Sequence, residues 1–518
     1  MTKSSLWLSS TAIATVLAAG GAQADVTPED VWANTIAYMG SLGGAVTGTL
    51  ATSASTTRIE DWEVVFALPM GAGQIDMSVT SAEMVDNGDG TITFRYPSGT
   101  TLTAGIDIPG EMNASVDIQM TGGDIEMVAS GDPGDISYSY TIPTYALQLT
   151  DLSVDGDGIS ESDAEMMANA DIDALVTIRD SVGTMRVTEG DLIETVIEGA
   201  FGSVAYDVSF ALGDEVSGFQ KGTVGAGAST TTLVMPAGGP SVMALPQALR
   251  DGMRIALQTE TSSTTSDQEM MLGGTLAGYT RLKVGAGSAD ISFDQNGLIA
   301  RGGLQSYDFE TLDPEFPFPI KAAIGAAEYD VAAPVMGSDA PQPFTYNLSL
   351  TDVELDETLW SLFDPGQALP RDAATLRMAL SGEMGTTMDL LDFPAWMAIE
   401  QTGENPFSIH SVDINEVYLA AVGAVFTGQG AFTFNMDDLT TFDGVPAPTG
   451  EVEMQVTGAN ALIDTLIAAG FISDEDAMGA RMFMGLFARP GEGADDLVSN
   501  IVVDGATGAV SANGQRLR

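Results

Sequence analysis

The residue types that most often carry out catalysis are scarce in this chain. It has no cysteine and one histidine, His410, which lies in the segment 407–413 beside two serines and an acid. A Ser-His-Asp triad is defined by its geometry, and adjacent residues of a strand point to opposite faces. One imidazole also offers too few nitrogens for a histidine-based zinc site. We therefore interpret His410 as an ordinary strand or loop histidine and expect no enzyme.

One acidic segment has the spacing of the first half of a calcium loop. Its oxygen donors alternate along the chain, with the glycine that lets such a loop turn at the sixth place: Asp151, Ser153, Asp155, Gly156 and Asp157. The twelfth place is Ser162, where the loop requires an acid. Asp and Gly also serve ordinary turns, so a turn is the alternative interpretation. A calcium ion with a structural role is thus the one cofactor that the sequence suggests.

Apolar side chains recur at helical spacing near the end of the chain. One helix is predicted over 460–469, and a second over 473–488 begins with Ser473 and Asp476, the pattern of a capping box. Met and Phe adapt to varied ligands, so the second helix is a candidate ligand or partner surface. Helical spacing of this kind is also typical of a face that packs on a core, which is the first expectation. The residues concerned are Met478, Met482, Phe483, Leu486 and Phe487.

Most of the remaining chain is predicted to form antiparallel strands with one buried face. Segments 116–120 and 125–127 alternate apolar and polar residues around two glycines, which predicts a hairpin. Segments 291–293 and 298–299 flank Asn-Gly, which suits a hairpin turn. Further helices are predicted from Thr27, over 160–170 and over 247–257. The predicted fold is mainly β with a few helices (α+β), with large, curved antiparallel sheets in two related halves.

An internal duplication is predicted from two similar segments. Residues 144–155 and 345–356 are identical at seven of twelve positions. The predicted organisation is a signal peptide at 1–24, a first β-rich half at 25–238 that opens with a helix, and a second at 239–518 that holds the helical pair.

The first residues predict export. Lys3 precedes a short apolar segment, and Ala22-Gln23-Ala24 is a small-x-small cleavage site. The apolar segment is shorter than the ~20 residues that a membrane span needs. We therefore expect cleavage after Ala24 and a periplasmic protein.

The charge of the chain excludes two classes of partner. Its formal net charge is −54, which repels nucleic-acid phosphates and anionic membrane surfaces. We therefore expect no nucleic acid and no direct binding to anionic membranes.

One segment carries a family resemblance. Residues 355–376 resemble a segment of an exported proteobacterial family, the domain of unknown function 2125, and residues 25–32 and 428–432 fit the same family. The resemblance would cover most of the mature chain. It implies a protein of a Gram-negative cell envelope, and it transfers no functional residue because no activity is established for the family.

Three functions remain open at this point. The first is noncatalytic binding of an apolar ligand or lipid in the cell envelope, for which the positive mean hydropathy and 26 methionines speak. The second is an envelope scaffold that binds another protein. The third is an outer-membrane barrel, which the 7% aromatic content disfavours because such barrels carry two aromatic girdles.

Overall fold

The computed structural model describes residues 25–68, 71–156, 170–213, 215–240, 244–316, 318–338, 340–402 and 405–518. The predicted signal peptide, Asp157 and all but the last residue of the helix predicted over 160–170 lie outside these ranges.

Six helices are present in the described ranges, and none of them is long and apolar enough to cross a membrane. The helix start predicted at Thr27 and the capping box predicted at Ser473 are confirmed, since each side chain accepts the backbone N–H of the aspartate three residues later. The helices are α1 Pro28–Ser41, α2 Leu245–Arg250, α3 Glu357–Phe363, α4 Phe393–Thr402, α5 Ala459–Ala468 and α6 Asp474–Phe487.

Strands make up most of the described chain, which confirms a mainly β fold with few helices. They are β1 Gly44–Ser53, β2 Thr56–Ala67, β3 Gln74–Val79, β4 Ala82–Asp86, β5 Ile92–Tyr96, β6 Thr101–Ile108, β7 Met112–Thr121, β8 Ile125–Asp132, β9 Asp135–Asp155, β10 Ala170–Thr188, β11 Leu192–Phe201, β12 Ser203–Leu212, β13 Val216–Val224, β14 Gly227–Pro236, β15 Arg254–Thr261, β16 Thr264–Leu272, β17 Thr275–Val284, β18 Gly287–Asp294, β19 Gly297–Leu312, β20 Ile320–Ala333, β21 Gln342–Leu355, β22 Ala374–Thr386, β23 Phe407–Ala421, β24 Ala424–Asn435, β25 Ala447–Thr457, β26 Arg489–Pro490, β27 Asp496–Asp504, β28 Ala509–Ala512 and β29 Gln515–Arg516.

All the described strands belong to one antiparallel sheet. Several long strands pair with two shorter strands that lie end to end beside them, as β10 does with β11 and β12. From β19 to β25 the order in the sheet is the order in the chain. Because β14 pairs with β15, the sheet continues without a break across the boundary predicted at 238.

Two local predictions are wrong, because the backbone of both segments is hydrogen-bonded to other strands of the sheet. Residues 254–257 form part of β15, hydrogen-bonded between β14 and β18, so the helix predicted over 247–257 ends at Arg250. Strands β7 and β8 do not pair with each other; both pair with the long strand β9, so the two glycines between them mark a bend and not a hairpin turn. The hairpin of β18 and β19 is confirmed, with Asp294 paired to Gly297.

The segments of the predicted duplication lie in equivalent places. Residues 144–155 belong to β9, which pairs with β10, while 345–355 belong to β21, which pairs with β22. The duplication itself remains a prediction.

The sheet has one apolar face, and helices bury only parts of it. Helix α1 covers the start of the sheet, where Val31 and Trp32 pack against Ile59, Trp62 and their neighbours. Helix α2 buries Leu249 against residues of β14, β15 and β18. These two clusters hold most of the buried apolar side chains.

Candidate functional site

The apolar face of the second part of the sheet forms continuous rows of side chains. Side chains that pair across antiparallel strands lie directly opposite each other on one face, so the register identifies each row. One row follows Ala300, Val331, Tyr346, Leu380, Ile414, Gly430, Val452, Ile501 and Ala512 across nine strands. The next row lies two residues along each strand, or three at the bulge of β23. It follows Tyr329, Leu348, Met378, Val417, Gly428, Met454 and Ser499.

A third row follows Leu350, Leu376, Leu419, Phe426, Val456 and Leu497, and a fourth follows Phe344, Gly382, Val412, Phe432, Gly450, Val503 and Val510. We call these four sets the apolar rows. None of their members is charged. Nine strands at ~4.8 Å each make such a row roughly 40 Å long.

The large side chains of the apolar rows are only half-buried or exposed, with Leu419 at 44% exposure. Within the described ranges there is no second sheet, and the helices α3 and α5 contact β20 and β24 at a few positions only. Soluble proteins rarely leave a contiguous apolar area larger than a few hundred Å² uncovered unless it binds something. The apolar rows are therefore the candidate functional site.

The opposite face of the same strands is polar. Arg301 pairs with Asp330 at 3.0 Å, and Arg377 pairs with Glu416 at 2.8 Å, which raises the pKa of the arginine. A groove of about 650 Å³ crosses this face and includes all four side chains in its lining. The opposite face thus carries ion pairs, whereas the apolar rows contain no charged side chain.

Helix α6 presents an exposed apolar surface. Met478 and Met482 are each 70% exposed and Phe483 is 62% exposed, while Leu486 is also exposed and Phe487 is half-buried. The expectation that this stripe packs on a core is therefore wrong, because helical spacing indicates an apolar face but not what covers it.

The end of α6 is fixed to the apolar side of the sheet. Ser499, a member of one apolar row, donates its hydroxyl to the carbonyl of Phe487 at 2.5 Å, and Asn513 donates its amide to the same oxygen at 2.9 Å. The helix thus stands at the end of the apolar rows.

The calcium candidate lies mostly in extended backbone. Asp151, Ser153 and Asp155 belong to β9 and pair with Asp117, Ser115 and Asn113 of β7, so no loop begins at Asp151. The hydroxyls of Ser115 and Ser153 lie 2.8 Å apart. No group of three potential metal ligands is found in the described ranges, and Asp157 lies outside them. Calcium binding at this segment stays a prediction.

His410 has a serine beside it. Its Nε2 lies 3.1 Å from the hydroxyl oxygen of Ser408, because residues two apart share a face of β23. Both line a cavity of about 650 Å³ that also includes Asp389, which is paired with Arg250. In the described part of the chain no carboxylate is bonded to His410, so the arrangement is a Ser-His pair without the acid that orients a triad.

The segment 355–376 has a structural explanation. Asp364 is buried in the connection from β21 to β22, where it accepts the N–H groups of Ala368 and Leu369 and pairs with Arg371 at 2.7 Å. Burial alone would raise the pKa of Asp364, but these donors together hold it below its usual value. Arg371 also stacks on Trp360 of α3. These contacts thus hold the connection between β21 and β22 in one conformation.

The comparisons with known proteins point to one family. Residues 277–516 match the family model described as "Uncharacterized protein conserved in bacteria (DUF2125)". This confirms the resemblance at 355–376 and 428–432, while residues 25–32 lie outside the matched range. No curated protein and no solved structure matches the chain. The matched range contains all four apolar rows from β20 onward.

Proposed function

We propose that this chain is an exported, noncatalytic protein of the bacterial cell envelope that binds the hydrocarbon chains of a lipid along its apolar rows. One observation carries the proposal: four continuous rows of uncharged, largely apolar side chains cross the sheet, and the large side chains in them are only half-buried or exposed. Burying such an area is favourable by about 25 cal/mol per Å².

The spacing of the rows favours a linear ligand. Except at the bulge of β23, neighbouring rows are two residues apart, or ~6.6 Å along the strand, so a furrow runs between them at right angles to the strands. On β24 the rows contain Gly428 and Gly430, and because glycine has no side chain the surface of the sheet is lower there. A linear hydrocarbon chain fits a furrow of this kind along its length.

The net charge of the protein favours a hydrocarbon ligand over an acidic protein partner. The chain carries a net charge of −54, so an acidic protein would be repelled, whereas a hydrocarbon chain carries no charge. The uncharged rows also offer a partner protein no ion pairs that would fix its orientation. Binding of another protein on this face is therefore treated as an outcome of the test.

Matched pairs of substitutions test the proposal. Met454→Glu places a charge in an apolar row, and Gln455→Glu places the same charge one residue away on the polar face of β25. Leu380→Glu and Ser381→Glu form a second pair on β22. Binding is measured with the neutral fluorescent probe 1-N-phenylnaphthylamine, and folding with circular dichroism.

We expect Met454→Glu and Leu380→Glu to weaken probe binding at least about tenfold, since an unpaired charge is costly beside a hydrocarbon. Gln455→Glu and Ser381→Glu should bind as the unmodified protein does. Equal binding by both members of each folded pair would refute the proposal. Capture of a protein in place of lipid, lost on Met454→Glu, would replace it with the scaffold function.

A further inference from the structure

An aromatic cluster lies beneath α1 at the start of the sheet. The Trp62 ring stacks on Tyr96 with centroids 6.0 Å apart, and it meets Trp32 and Phe94 edge-on at 5.8 and 6.0 Å. Burial raises the pKa of Tyr96. The cluster therefore forms an apolar environment between the helix and the sheet.

A cavity of about 80 Å³ adjoins this cluster. Its walls include Tyr38 and Met39 of α1 and, on the sheet, Trp62, Tyr96, Met127 and Met185. At ~30 Å³ for each water in the liquid, the space equals that of two or three waters. No lining residue carries a formal charge, so an ionised group would lose its hydration there without a counter-ion.

One residue of the wall, Trp62, has a buried polar atom without a partner. Trp62 is 5% exposed, and its Nε1–H has no acceptor among the described residues. Two other polar side chains of the wall are paired: Tyr138 donates to Asn34 Oδ1 at 2.9 Å, and Asn34 donates to Glu189 at 2.8 Å. An unmade hydrogen bond of a buried donor is unfavourable, and such groups in native proteins usually indicate a missing partner.

We propose that this cavity binds a small neutral group that presents one acceptor oxygen, a carbonyl or ether on an apolar body, to the Trp62 indole N–H. The aromatic rings and thioethers contact the apolar body, while the indole selects the oxygen. The inference goes beyond the proposed function, because a small molecule fills this cavity whether or not a lipid chain lies on the apolar rows.

The indole N–H signals of the full chain, labelled with ¹⁵N-tryptophan, report on this site directly. The protein is titrated with dimethyl ether and, as a matched control of the same size without an acceptor, with propane, each dissolved under pressure. Trp62→Phe identifies the signal, and substitution of the other tryptophans identifies it by elimination if that variant does not fold. Trp396 is an internal reference, since its indole already donates to the carbonyl of Leu390 at 2.8 Å.

We expect dimethyl ether to move the Trp62 proton signal downfield with saturation, and propane to bind at least about tenfold more weakly. A folded Trp62→Phe variant should lose this preference and keep its binding of 1-N-phenylnaphthylamine, which separates the cavity from the apolar rows. A Trp62 signal that neither compound moves would show that the cavity holds water only and would overturn the proposal. Equal shifts with both compounds would overturn the role of the indole.

Discussion

The ring of Tyr329 lies over the backbone of Gly302 on the neighbouring strand. A Cβ atom at Gly302 would stand 2.7 Å from the Tyr329 hydroxyl and 2.5 Å from the carbonyl oxygen of Ser288. Phe344 lies over Gly382 in the same manner, with a ring carbon 2.9 Å from a Cβ there. Each glycine thus lets an aromatic ring lie flat, which keeps the floor of the apolar rows low.

Gly302→Ala should therefore destabilise the protein by about 1–3 kcal/mol, because the added methyl group displaces Tyr329 or the strand. Gly479→Ala is the matched control: Gly479 lies in α6 with open space around its Cα, where alanine favours the helix by up to ~1 kcal/mol. Urea unfolding of the two variants measures both effects. Equal stability of Gly302→Ala and the unmodified protein would contradict the close approach.

Asp364→Asn should lower the midpoint of thermal unfolding. The change removes the charge that Arg371 and two backbone N–H groups stabilise in the connection from β21 to β22. Asp372→Asn, at an exposed residue of the same connection, is the control and should leave the midpoint unchanged. The same decrease in both variants would mean that net charge, and not the pairing, determines the effect.

Substitution of Met482 tests whether α6 packs on a core. Since Met482 is 70% exposed, Met482→Ala should change the free energy of unfolding by less than about 0.5 kcal/mol. Leu249→Ala, at a fully buried residue of α2, should cost about 2–5 kcal/mol. A loss at Met482 as large as that at Leu249, measured by urea unfolding, would show that something covers α6 in solution.

Asp438 makes a pH-dependent contribution to the stability of the folded protein. The Thr441 hydroxyl, with the N–H groups of Thr441 and Thr440, lowers the pKa of Asp438 from 3.8 to about 2. A lowered pKa in the folded state adds stability above the unfolded value and loses it as the pH falls. The stability difference between the unmodified protein and Asp438→Ala should thus be constant above about pH 4 and shrink between about pH 4 and 2.

Urea midpoints at pH 7, 4 and 2.5 measure this difference. Asp437→Ala, which leaves the contacts of Asp438 in place, is the control. A difference that stays constant down to pH 2.5 would contradict the assigned hydrogen bonds.

Helix caps could be predicted from the sequence, whereas the pairing of distant strands could not. Thr27 and Ser473 begin helices because their caps form within four residues. Residues 254–257 have helix-forming side chains, yet β14 and β18 take their backbone into the sheet. No local pattern encodes that choice, since strand partners lie far away in the chain.

The candidate site, too, could be predicted only in part from the sequence. Alternation within β25 is visible in the sequence, with Val452, Met454 and Val456 between polar residues. The continuity of the apolar rows depends on register between strands, and a shift of one residue would move a strand's apolar residues to the other face. The exposure of α6 was equally hidden, because spacing does not say what lies opposite a helix.

Native mass spectrometry of the mature protein, gently purified without detergent from its own host and followed by solvent extraction, tests the central claim most directly. We predict excess mass that extracts as lipid and that is lost in Met454→Glu but kept in Gln455→Glu. A mass equal to that of the bare chain, from a preparation that also fails to take up added lipid, would contradict lipid binding on the apolar rows.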